Sequence, residues 1–131
     1  MNAAIEMHDS QILAIERAGT GLGSVFLKAY VHQTEGQPGV SPGEGGVQRV
    51  RIRVKEMTVE GEVGNLPADI YEGSIKFEQT VQDNIVPFPA AYSGPLQMTM
   101  MLSPDARVVV VGGSGISIEA EGEFRFVEHF S

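Results

Sequence analysis

Between Gln48 and Lys55 the chain reads QRVRIRVK, an unbroken alternation. In an extended backbone Arg49, Arg51, Arg53 and Lys55 fall on one side and Val50, Ile52 and Val54 on the other. The same period of two returns in Gln11–Arg17, Ser24–Gln33, Ile75–Val81, Asn84–Phe88, Leu96–Leu102, Arg107–Val111, Ile116–Glu121 and Glu123–Phe130. Spacing of 3.6 is almost absent, so an apolar face forms here only on strands. Met57–Val63 continues after Lys55 with its apolar parity shifted by one, which predicts a bulge or a bend. AGTGLG, SPDA and GGSG read as turns, and GNLPADIYEGS as a loop with a helical turn at Ala68–Tyr71.

These elements predict an all-β chain, one antiparallel sandwich or barrel of about nine to ten short strands over residues 1–131. A jelly roll is the first choice of topology and a closed barrel the second. Tyr30–Gly46, YVHQTEGQPGVSPGEGG, is not a linker between domains, because the part before it amounts to one hairpin, too little to hold itself together in water.

Composition narrows the function. The formal charge is −8, so nucleic-acid phosphates and anionic lipid are unfavourable partners, and a basic protein is a favourable one. There is no cysteine, which removes disulfides, thiolate metal sites and cysteine nucleophiles. The opening MNAAIEMHDS has neither the basic nor the apolar part of a secretory signal, and no apolar run is long enough for a membrane helix. The expectation is a cytoplasmic protein.

Most chemical motifs fail on inspection. Gly36–Gly46 has no lysine to reach a phosphate and carries Glu35 and Glu44 beside it. VGGSG at Val111–Gly115 is followed by a strand and not a helix. His8, Asp9 and Ser10 do not make a triad, since neighbours in an extended chain point to opposite faces. Four of the nine Lys and Arg residues lie on the QRVRIRVK strand, where Glu119, Glu121 and Glu123 have matching spacing. A cross-strand charge ladder is the preferred reading over an anion-binding stripe. Tyr30, Tyr71 and Tyr92 read as half-buried tyrosines, and the methionines from Met98 to Met101 as core.

One constellation remains. If the first hairpin turns near Thr20, His8 falls opposite or diagonal to His32, with Glu6 on the same face. Glu6, His8 and His32 then resemble a two-histidine, one-carboxylate site for Fe or Zn. Without a metal, the same corner is a contact site made by His8, His32, Tyr30, Pro38 and Gly39, under the Gly/Pro-rich loop.

MHDSQILAIE, with His8, Asp9 and Ser10, and AYVHQTEGQPG at Ala29–Gly39 resemble stretches of small, uncharacterised bacterial β-protein families, some of them toxin-immunity-like. The resemblance implies a bacterial accessory protein and no reaction. The leading expectation is a small, acidic, non-catalytic binding protein without cofactor, whose partner is a basic protein or a small molecule. The alternatives are a metal-dependent enzyme at Glu6, His8 and His32, and a small-molecule-binding sandwich or barrel with an apolar interior cavity. A homo-oligomer paired through an uncapped edge such as Leu96–Leu102 completes the set.

Overall fold

The computed structural model describes residues 1–19 and 21–131; the turn centre expected at Thr20 lies outside the described residues. Ten strands follow one another: β1 (Asn2–Arg17), β2 (Gly23–Thr34), β3 (Gly43–Lys55), β4 (Thr58–Gly61), β5 (Ala68–Phe77), β6 (Thr80–Asp83), β7 (Ile85–Phe88), β8 (Ala90–Leu102), β9 (Arg107–Ala120) and β10 (Arg125–Phe130). The all-β expectation holds, and no helix occurs among the described residues.

Six strands close on themselves in the order β3-β2-β1-β5-β8-β9, with β9 returning to β3, and every pairing is antiparallel. The architecture is therefore a closed barrel with extra strands, in place of the preferred jelly roll. Closure removes the free edges of the central belt. The long strands change neighbours midway, which short-strand reasoning missed. β3 pairs with β10 through Gly43–Val47 and with β9 through Val50–Lys55. β1 meets β7 through Ala3–Glu6 and β5 through Gln11 and Ile12, while β9 meets β4 through Val109–Gly112.

Alternation sets what lies inside. Val25, Leu27, Ala29 and Val31 of β2, Val50, Ile52 and Val54 of β3, and Leu96, Met98, Met100 and Leu102 of β8 are buried in one continuous core. Burying each of the larger side chains contributes about 1.5–3 kcal/mol. A six-strand barrel is narrow, and these residues with Ile5, Met7, Ile12, Ile70 and Ile75 fill it.

Several local expectations are corrected. Ala68–Tyr71 is strand and not a helical turn, because Ala68 and Ile70 face the core while Asp69 and Tyr71 are exposed. Ile75–Val81 is not one strand: a turn with Glu78 at φ 51° divides β5 from β6. GGSG is not a turn but a bend within β9, across which the buried positions change from Val109 and Val111 to Ile116 and Ile118. A side chain at Gly113 would strike Val54, so only glycine lets β9 cross β3 this closely. Leu96–Leu102 is no edge, since β8 is paired on both sides by β5 and β9. The parity shift after Lys55 is a break at Glu56, φ 51°, where the chain leaves β3 for β4.

The charge ladder is aligned but sparse. Arg51 lies opposite Glu119 in the β3–β9 register, yet the ion pair found is the diagonal Arg53–Glu119, at 2.9 Å. Arg107–Asp105 is the other ion pair among the described residues.

Candidate functional site at the bulged corner of the first hairpin

Near its turn the first hairpin keeps a regular register, with Ile15 opposite Val25 and Arg17 opposite Gly23. Two irregularities follow, between Ile12 and Ala14 and between Glu6 and Gln11. Beyond them His32 faces Ala4 and Tyr30 faces Glu6, while His8 falls inside the second irregularity. The predicted meeting of His8 with His32 therefore does not occur.

The HDS stretch is the bulge itself, and its polar groups hold it. The Ser10 hydroxyl donates to the Glu6 carbonyl at 2.7 Å and accepts the Tyr30 N–H at 3.0 Å, standing in for ladder bonds the bulge breaks. Asn84, in the left-handed region at φ 64°, holds the other side. Its backbone carbonyl accepts from the Met7 N–H and its side-chain oxygen from the His8 N–H, at 2.8 and 2.7 Å. His8 is thereby turned outward, exposed, with Nδ1 2.7 Å from the Tyr71 carbonyl oxygen. Because a carbonyl only accepts, Nδ1 carries the proton. His8, Asp9, Ser10, Asp69, Tyr71 and Ser103 surround an open depression of about 280 Å³.

His32 has the opposite fate. It lies on the outer face of β2 but is 3% exposed, because Glu35–Pro42 folds over it and Phe130 packs edge-on at 4.7 Å between ring centroids. The Gly39 N–H donates to Nδ1 at 2.6 Å. The loop is not slack. Thr34 Oγ1 donates to the Pro42 carbonyl and accepts from the Gly36 N–H, Ser41 Oγ accepts from the Gln37 N–H, and Asn2 Nδ2 donates to the Gly36 carbonyl. Its glycine-rich end is already strand: Gly43, Gly45 and Gly46 belong to β3. A side chain at Gly45 would meet the Tyr30 hydroxyl and the Phe130 ring, so glycine there lets Tyr30 and β10 lie flat across β3.

The metal-ligand set does not assemble. His32 Nδ1 is engaged by Gly39, His8 points outward from the bulge, and no group of three His, Asp or Glu side chains among the described residues is arranged to hold a metal ion. Glu6 instead joins a cluster of like charge. Partial burial, then Asp9 with which it shares a hydrogen bond, then Glu128, raise its carboxyl above the ordinary value, against a smaller opposing effect of His8. Tyr30 beside it is pushed up to about 12 by burial, by a hydrogen bond to Glu128, and by the negative charge of Glu128, Glu6 and Asp9. Of the expected contact residues, Tyr30, His32 and Gly39 share this corner, His8 stands on its bulge, and Pro38 is half-buried in the loop. Sequence reasoning missed Asn84, Glu128 and Phe130. The alternating glycines of GEGG were the available sign that another segment crosses there.

No protein-family model, no curated protein and no solved structure matches this chain.

Proposed function

We propose that the chain is a non-catalytic binding protein whose corner of Glu6, Asp9, Glu128 and Tyr30 receives a basic segment of a protein partner. The observation that carries this reading is uncompensated crowding: three carboxylates surround a half-buried phenol, and none of them has a Lys or Arg ion-pair partner among the described residues. Such crowding raises the energy of the free fold, and a lysine or arginine laid against it relieves that cost. The net charge of −8 draws the same partner in from a distance. A corner pinned by Ser10, Asn84 and the Glu35–Pro42 loop presents these groups in one arrangement, which limits the ordering cost of binding.

The test is calorimetric titration with acetylated hexalysine at low and physiological salt. Binding that weakens with salt and is lost in the Glu6→Gln/Asp9→Asn/Glu128→Gln variant supports the reading. Equal binding by the variant overturns it.

A further inference from the structure

A second site lies on the outer face, away from the acidic corner, where the first hairpin meets β3. Glu16, Arg17, Leu22, Ser24, Arg51 and Arg53 line an open cleft of about 570 Å³ there. Its central feature is Arg51. The Nε–H of Arg51 donates to Ser24 Oγ at 3.1 Å, and its guanidinium carbon sits 5.2 Å from the centre of the Phe26 ring. Ser24 is 6% exposed. The guanidinium is thus held in plane and in place, with its two terminal nitrogens uncommitted among the described residues. Ser24 Oγ accepts from Arg51, so its own hydrogen remains to donate. Arg17 adds an exposed cation with no ion pair among the described residues.

The charge balance restricts what fits. Glu119 already draws on Arg53, and the Glu16 carboxylate stands on the wall. A single negative charge is favoured against Arg51 and Arg17, whereas a second charge on the same group would face Glu16 unrelieved. The shape restricts it further. Leu22, 49% exposed, and Arg53 also line a neighbouring trough of about 430 Å³ with Val54, Ala91, Tyr92 and Ile116. That trough is mainly apolar, and the Tyr92 ring is backed by Phe77 at 4.5 Å. Both volumes lie in the range of small-ligand sites.

The geometry points to a binding site for a small amphipathic carboxylate, its head on Arg51, Ser24 and Arg17 and its apolar tail or ring past Leu22 against Tyr92 and Ile116. Carboxylate is the monoanion whose two oxygens match a guanidinium edge.

The test is a nuclear magnetic resonance titration of the full chain with octanoate, below its micelle concentration, following the Arg51 side-chain N–H and the Tyr92 ring. Octanoate is expected to shift both together and to bind at least about tenfold more tightly than acetate or octanol. Arg51→Gln and Arg17→Gln are each expected to weaken it severalfold. Arg17→Gln, at an exposed position, decides the matter should Arg51→Gln disturb the fold. Octanol binding as well as octanoate, or unchanged affinity in Arg17→Gln, overturns the assignment. Tighter binding of octyl phosphate, or of an acetylated peptide ending in a free leucine carboxylate, overturns the small-carboxylate identity.

Discussion

The backbone N–H of Gly39 donates to Nδ1 of His32 at 2.6 Å, which ties the middle of the long loop to the outer face of β2. A backbone N–H cannot accept, so Nδ1 is the bare nitrogen and the proton sits on Nε2, a buried atom without a hydrogen-bond partner among the described residues. Phe130 packs edge-on against the same ring, the two planes 70° apart, and closes it from solvent.

His32→Ala is expected to cost about 2 kcal/mol, since it opens a void and leaves the Gly39 N–H unpaired. Hydrogen exchange should show Gly39 and its neighbours in the loop losing about tenfold or more in protection while the amides of β8 change little. Ring nitrogen shifts of the parent should report the Nε2–H tautomer.

Ser10→Ala removes both bonds that close the bulge, to the Glu6 carbonyl and from the Tyr30 N–H. Ser10 is 2% exposed, so water does not replace them freely. Denaturant unfolding should show a loss of about 1–3 kcal/mol. Ser41→Ala on the exterior loop should lose distinctly less.

Glu6→Gln tests the crowded carboxylates by pH. The Glu6 carboxyl is raised in the folded chain, so ionising it costs more there than in the unfolded chain. Its contribution is therefore most favourable below about pH 4.5 and is lost as pH rises through the raised value. The glutamine variant has no such loss. It should melt higher than the parent at pH 7, with the gap closing as the pH falls below 4.5.

Gly45→Ala places a methyl against the Tyr30 hydroxyl and the Phe130 ring. The overpacking should cost about 1–3 kcal/mol and loosen β10 first. Gly19→Ala meets nothing within 4 Å and should leave the melting temperature nearly unchanged.

The strands were legible where one face is buried and the other wet. QRVRIRVK and the Leu96–Leu102 run gave their inward residues directly, because burial of one face imposes the period of two. What was hidden was nonlocal. Closure of β9 onto β3 depends on Gly113 allowing a close crossing, and glycine in isolation reads equally well as a turn. The His8–His32 pairing failed for a related reason. A register continued from the turn runs through Met7–Ser10, where the sequence alternates poorly and where Ser10 and Asn84 support a bulge that no residue spacing reveals. His32 was expected as a ligand or contact residue under the Gly/Pro-rich loop; the loop does cover it, and Phe130, distant in sequence, completes its burial.

Docking of a basic partner at the acidic corner, as proposed above, can be mapped residue by residue. The most direct measurement is a ¹⁵N-resolved map of the full chain titrated with acetylated hexalysine at physiological salt. Shifts are expected to concentrate at Glu6, Asp9, Tyr30 and Glu128, with smaller effects elsewhere on the acidic surface. Shifts spread evenly over exposed carboxylates such as Glu60, Glu62 and Glu72, with none favoured at the corner, would contradict it.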